Sequence, residues 1–106
     1  DPEYGASRQT ADLHLRQLMT RALALSAWEI ERAAALLAGA DPEQHRKLRR
    51  RLDTFLFNLR RRLEEDGRDE LRRSMTNEWR GAAPAALRLL DALEAGRIRG
   101  GQRQSG

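Results

Sequence analysis

The stretch HRKLRRRLDTFLFNLRRRL, residues 45 to 63, combines a row of leucines with eight of the chain's twenty basic residues. Just ahead of it, Asp41, Pro42 and Gln44 form a strong signal for a capped helix start, and no helix breaker follows before Gly67. We therefore expect one helix of about 25 residues, spanning roughly 37 Å. Its apolar residues recur at the spacing of a single buried face: Leu48, Leu52, Phe55, Leu56, Leu59 and Leu63.

Length and composition indicate a single helical domain with a modest core. The chain has 106 residues, of which 40% are hydrophobic and 34% charged, and its net charge is +4. The absence of cysteine excludes disulfides and thiolate metal sites. No apolar run approaches the ~20 residues of a membrane span, and no signal peptide is visible. We expect a cytoplasmic protein without a membrane partner and, because the chain does not begin with Met, a fragment.

Two helices are predicted ahead of the basic stretch. Residues 1–10 have the composition of a polar leading segment that ends in an N-cap at Thr10, and the first helix is predicted over 11–25. Ser26 and Glu29 then form an S-x-x-E capping box, which predicts the start of the second helix. The apolar residues of the first helix occupy more of its circumference than one neighbouring helix can cover.

The part of the chain after the basic stretch predicts a C-terminal helical pair over residues 67–96. Asp69 is the expected cap of one helix, and Pro84 is expected to open the other. We expect this pair to pack on residues 11–66, cover the second half of helix three and bury Phe57. Residues 97–106 are basic and glycine-rich, which is typical of a disordered tail. The predicted fold is thus an all-α domain of five helices.

The sequence lacks the motifs of enzymes. It has no glycine-rich phosphate loop, no nucleophile elbow and no histidine pair at metal-binding spacing. His14 and His45 fall on different predicted helices without another His or Cys nearby, and a partly buried polar contact is the favoured role for His45. We expect no catalysis, no metal and no cofactor.

The positive charge is concentrated in helix three. Residues 41–63 carry eight basic and three acidic side chains, a net +5, so the rest of the chain is slightly acidic. In a helical projection the leucines cluster on one side, with Arg46, Arg50 and Arg61 opposite and with Arg51 and Arg62 nearer the core. Concentrated charge of this kind is the electrostatic pattern expected of a nucleic-acid-binding protein.

Two segments carry a family resemblance. RAAALLAG, residues 32–39, is followed by KLRRRL, residues 47–52, and together they resemble the Fis-type helix-turn-helix module that closes many bacterial enhancer-binding transcription activators. The Ala-Ala pair and the leucine spacing match at Ala33, Ala34, Leu37, Leu48 and Leu52. The resemblance covers about residues 11–63. The chain departs from the pattern at Ala38, which separates Leu37 from Gly39, in a longer link to Leu48, and in its two further helices.

The resemblance implies a function and a set of residues. The chain is expected to be the DNA-binding domain of a bacterial transcriptional regulator, with a helix-turn-helix-like core over 11–66 and a basic recognition helix that binds duplex DNA. A regulatory or ATPase region is a further expectation ahead of residue 1. The candidate DNA contacts are Arg46, Lys47, Arg49 and Arg50, with Arg60 and Arg61 as auxiliary phosphate contacts. The first helix is expected to form a homodimer through Leu15, Leu18 and Leu25.

Two other interpretations of the basic helix remain open from the sequence. In one, the chain is a helical protein-interaction or oligomerisation domain whose arginines are only solvated, without nucleic-acid binding. In the other, the basic stretch lies on a membrane surface. The second is disfavoured because the core needs the leucine stripe.

Overall fold

The computed structural model describes residues 2–98, with side chains described from residue 11 onwards. Within this range the chain is helical apart from short turns, and no strand occurs in it, so the all-α prediction is confirmed. The helices are α1 (Pro2–Leu25), α2 (Ile30–Ala38), α3 (Pro42–Asp66), α4 (Arg68–Trp79) and α5 (Ala83–Glu94). A 3-10 turn over Arg80–Ala82 joins the last two.

The helices pack as a closed ring around one core. Each helix packs against the next along the chain, and α5 returns to pack against α1. The centre is filled by residues that are almost wholly inaccessible to water, and all the helices of the ring contribute to it: Leu23, Ile30, Leu52, Leu56, Leu71, Met75, Leu89 and Leu90. The leucine stripe of the quoted stretch is thus the part of α3 that faces the ring interior.

The bounds of α3 agree with the sequence signals. The Asp41 carboxylate accepts the backbone N–H groups of Glu43, at 3.0 Å, and Gln44, at 3.4 Å, while Pro42 takes the first helical position. At the other end, Gly67 adopts a φ of 86°, a conformation that glycine takes without the steric cost of a Cβ. These local signals fix where the basic helix begins and ends.

The predicted start of α1 is wrong. The helix begins at Pro2, so Thr10 lies inside it, and residues 2–10 are helical rather than a separate leading segment. Its buried side is formed by Met19, Ala22 and Leu23. The breadth of the apolar surface is confirmed, because leucines also remain on the outer side of α1.

The predicted capping box at Ser26 is also wrong. The Ser26 amide continues the bonding of α1 to the Ala22 carbonyl at 3.0 Å, and its side chain is buried. Ala27 and Trp28 then adopt positive φ values of 54° and 65°, and the Trp28 amide donates to the Leu23 carbonyl at 2.7 Å. This 6→1 bond closes the C-terminus of α1, so α2 begins only at Ile30.

The C-terminal pair differs from its prediction in detail. Asp69 lies in the first turn of α4 and makes no capping bond, since the helix begins at Arg68. After α5, Gly96 takes a φ of 70° and the Arg97 amide donates to the Ala92 carbonyl at 2.9 Å. This turn directs Ile98 into the core, where it is buried, so the predicted tail does not begin at residue 97. The rest of that tail, residues 99–106, lies outside the described residues.

Candidate nucleic-acid interface

The first half of α3 presents a basic surface on the side away from the core. Arg46, Lys47, Arg50 and Arg51 are exposed and line one shallow concavity of about 530 Å³ together with Glu43. We call these four cations the basic surface. Because Leu52 is buried and Leu48 half-buried on the opposite side, α3 cannot rotate about its axis without losing its core contacts.

The basic surface retains unpaired positive charge. Across residues 11–98, Arg46, Arg50 and Arg51 make no ion pair with another described side chain. Lys47 pairs only with Glu43 of its own helix, at 3.6 Å, and both side chains are largely exposed. An exposed pair of this kind is weak and competes poorly with a phosphate oxygen. The surface is therefore available to an anionic partner.

Arg49 is oriented differently from its neighbours. Its Nε donates to Glu31 of α2 at 2.6 Å, and its Nη1 donates to Asp53 one turn further along α3. The Asp53 contact, followed by that with Glu31, raises the pKa of Arg49. With its side chain only 28% exposed, Arg49 ties α3 to α2. The geometry places this predicted DNA contact beside the basic surface, with its guanidinium occupied by two carboxylates.

Glu31 joins α2 to α3 at two points. Besides Arg49, its carboxylate contacts His45 Nε2 at 3.1 Å. Hydrogen bonds from Arg49 and His45 lower the pKa of Glu31 below its ordinary value of 4.5. The partly buried polar contact predicted for His45 is confirmed. These bonds join α2 to α3 at the protein surface.

The Glu31–Arg49 contact predicts a small coupling between α2 and α3 that is lost in acid. Because folding lowers the pKa of Glu31, the ionised carboxylate stabilises the fold, and this contribution disappears as the pH falls through the lowered pKa. Glu31 is largely exposed, so we expect a coupling of at most about 1 kcal/mol near pH 7. A double-mutant cycle of Glu31→Gln and Arg49→Gln, measured by urea denaturation from about pH 7 into acid, tests it. A coupling free energy between Glu31 and Arg49 that is the same at every pH would contradict this prediction.

The second arginine cluster, at residues 60–62, is more engaged with the fold. Arg62 bridges α3 to α4 through Glu78 at 3.1 Å. Arg61 is exposed and lies 3.9 Å from Glu65 on its own helix, while Arg60 is half-buried. The predicted auxiliary contacts, Arg60 and Arg61, thus lie at the far end of α3 from the basic surface.

The structure adds two arginines to the site that the sequence projection missed. Arg51 was placed near the core edge of α3, yet it is exposed on the basic surface. A groove of about 450 Å³ between α1 and α3 brings Arg16 to the same side as Arg50 and Arg51. Arg16 belongs to another helix, so no spacing within α3 could have indicated it.

The prediction that the C-terminal pair buries Phe57 is wrong. Phe57 is 46% exposed, because α4 packs on the leucine side of α3 and Phe57 projects away from that side. The buried residues of α4, Leu71, Met75 and Trp79, complete the ring interior instead.

The predicted dimer residues do not all lie on one surface. Leu15 is half-buried, packs against the core and lines the groove between α1 and α3. Leu18 and Leu25 are on the outer side of α1, with 39% and 80% of their surface exposed. Of the three, these two are available to a second chain.

Comparisons with known proteins do not identify a function for this surface. No protein-family model, curated protein or solved structure matches the chain. Within residues 2–98, no helix has both the length and the apolar character needed to cross a membrane. The resemblance to the Fis-type module stays a prediction.

Proposed function

We propose that this domain binds duplex DNA through the basic surface of α3. The observation that carries the proposal is the distribution of paired and unpaired arginines along one helix. Arg62, in the second half of α3, pairs with Glu78 of α4, whereas Arg46, Arg50 and Arg51, in the first half, contact no carboxylate among the described residues. A recognition helix contacts base edges with its N-terminal residues, and Arg46, Arg50 and Arg51 are exposed in that half of α3.

The proposed mechanism is positioning without catalysis. Arg46 and Arg50, one turn apart, enter the groove, while Lys47 and Arg51 on either side contact phosphates. Arg49 acts indirectly in this scheme, since its bond to Glu31 links α3 to α2. The auxiliary phosphate contacts proposed for Arg60 and Arg61 lie further along the duplex.

The proposal also includes the domain organisation and the kind of protein to which the domain belongs. Residues 11–66 act as a helix-turn-helix-like core with α2 and α3 as its helix pair, and the C-terminal pair supports them, giving a five-helix domain. The domain serves a bacterial transcriptional regulator in the cytoplasm, with the organisation of a Fis-type activator. The packing of α2 on α3, and the Glu31 bonds between them, support this arrangement.

The salt dependence of DNA affinity tests the proposal. If each protomer neutralises about three phosphates, a dimer is expected to give a log–log slope of binding constant against salt of roughly −5. An electrophoretic shift assay with random and genomic duplexes over a range of salt concentrations measures this slope. No detectable binding at about 50 mM salt would overturn DNA binding and favour the interaction domain.

Dimerisation through α1 is a separate prediction. Leu18 and Leu25 are two turns apart on the outer side of α1, so a two-fold contact there would cover both. We expect light scattering to give the mass of a dimer at high micromolar concentration and Leu18→Ser to lower it to that of a monomer. The matched control is Leu36→Ser, which makes the same change at an exposed leucine of α2. A parent chain that stays monomeric would contradict the prediction.

A protein-interaction domain is the second candidate function. It is favoured by a specific feature, the exposed leucines Leu18, Leu25 and Leu36. In that case the arginines of α3 serve solubility, and DNA affinity is expected to be weak at every salt concentration.

A further inference from the structure

A second concave site lies where the C-terminal end of α1 meets α5. It has a volume of about 300 Å³, at the small end of the range for small-molecule sites. Its apolar walls come from Ala24, Leu25 and Trp28 on one side and Ala85 on the other. No residue of this pocket belongs to the basic surface, so the two sites do not overlap.

The pocket keeps apolar surface in contact with water. Leu25 is 80% exposed, the highest value among the exposed large apolar side chains of the described chain, and Trp28 beside it is only half-buried. Apolar surface gathered in a concavity, rather than scattered, marks a binding site. Its shape favours a compact apolar group as the occupant.

The polar groups at the pocket all point to a negatively charged ligand. Arg21 and Arg88 line it, and neither is paired with a carboxylate among residues 11–98. The lining also contains the indole N–H of Trp28, a donor, and the Thr20 hydroxyl, which already donates to the Arg16 carbonyl at 2.8 Å. No acidic side chain is part of the lining. Two guanidinium groups without counter-charge match the oxygens of a carboxylate.

The backbone beside the pocket is strained. Ala27 and Trp28 are consecutive non-glycine residues with φ values of 54° and 65°. L-residues adopt this region rarely, and bulky ones more rarely still. Such conformations persist only where the surroundings enforce them, and they cluster at ligand-binding sites. Here the turn holds the Trp28 side chain at the pocket wall.

We propose that this pocket binds a small carboxylate with an apolar body, of the class of medium-chain fatty acids. The carboxylate lies between Arg21 and Arg88, and the hydrocarbon chain packs on Leu25 and Trp28. Binding covers the exposed leucine and supplies the missing counter-charge in one step.

Octanoate is the probe for this site, titrated into the full chain and followed by NMR. The chain has two tryptophans, so two indole N–H signals are expected, and Trp79 is buried elsewhere in the core. We expect the Trp28 indole and the amides of Ala24 and Ala85 to shift saturably while the Trp79 signal stays in place. Octanol, which lacks the charge, is expected to bind at least tenfold more weakly than octanoate. Acetate, which lacks the apolar body, is expected to give no saturable shift over the same range.

The double variant Arg21→Gln with Arg88→Gln tests the charge recognition. We expect at least a tenfold loss of affinity for octanoate and no change for octanol. The matched control, Arg46→Gln with Arg50→Gln, removes the same charge from another surface and should leave octanoate binding unchanged. Unperturbed Trp79 signals verify that each variant is folded.

Three outcomes would overturn the proposal. Equal affinities for octanol and octanoate would show that the arginines do not recognise the carboxylate. Shifts centred on the groove between α1 and α3 would place the ligand elsewhere. Because the α1 dimer proposed above would also cover Leu25, octanoate is titrated at concentrations at which light scattering gives a monomer, and no saturable shift there would mean that the pocket does not bind the ligand.

Discussion

Replacing Arg46 and Arg50 together with glutamine is expected to lower the affinity for duplex DNA tenfold or more while the fold is retained. Both side chains are exposed and unpaired among the described residues, and glutamine has nearly the helix propensity of arginine. Surface changes of this kind usually move stability by no more than about 0.5 kcal/mol each. Because the proposed phosphate contacts, Lys47 and Arg51, are unchanged in this variant, the salt slope should stay near roughly −5 for a dimer while the affinity falls. Shift assays and thermal denaturation of the same samples measure both effects.

The matched control for this variant is Arg61→Gln with Arg73→Gln. It removes the same charge from exposed positions outside the basic surface, where each arginine pairs only within its own helix. We expect a clearly smaller loss of affinity than for Arg46 and Arg50. Equal losses would mean unspecific attraction to the net charge, without a recognition helix. A large fall in melting temperature for the first pair would mean that Arg46 and Arg50 have a structural role.

Leu56→Ala is expected to lower the stability of the fold strongly. Leu56 is fully inaccessible to water, so truncation removes buried methyl groups and leaves a cavity in the ring interior. Such changes lower the free energy of unfolding by about 2–5 kcal/mol. A domain of this size has only about 5–15 kcal/mol in total. Urea denaturation followed by helical circular dichroism measures the loss.

Leu36→Ala is the control for Leu56→Ala, because it makes the same chemical change at an exposed position of α2. We expect its free energy of unfolding to remain within about 0.5 kcal/mol of the parent value. Similar losses from both changes would contradict the assignment of the α3 leucine stripe to the core.

The elements predicted well from the sequence are those set by residues close together along the chain. Asp41 and Pro42 mark the start of α3 because the cap needs only the next few backbone amides. Gly39, Gly67 and Gly96 mark helix ends because each adopts a positive φ. The buried face of α3 follows from its periodicity alone. These signals need no knowledge of how the helices pack.

The predictions that are wrong or incomplete concern positions where tertiary packing overrides a local sequence pattern. Ser26 matches a capping box, yet it is buried at the end of α1 and the turn is made by Ala27 and Trp28. Arg49 has the spacing of a groove contact, but its partner Glu31 lies on the preceding helix, 18 residues away. The exposure of Phe57 could not be predicted, because the periodicity of the two helices does not show from which direction α4 packs on α3. In the same way, only the fold brings Arg16 beside Arg50.

The closed ring of helices also determines how the chain can reach its native state. Apart from the contact between α5 and α1, its main packings join helices that follow one another along the chain. Short sequence separations make loop closure entropically inexpensive, and domains dominated by such contacts fold in microseconds to milliseconds. The seam between α1 and α5 joins the two ends of the fold and carries the highest closure entropy. It is therefore the natural last step of folding and the first place for the native ring to open.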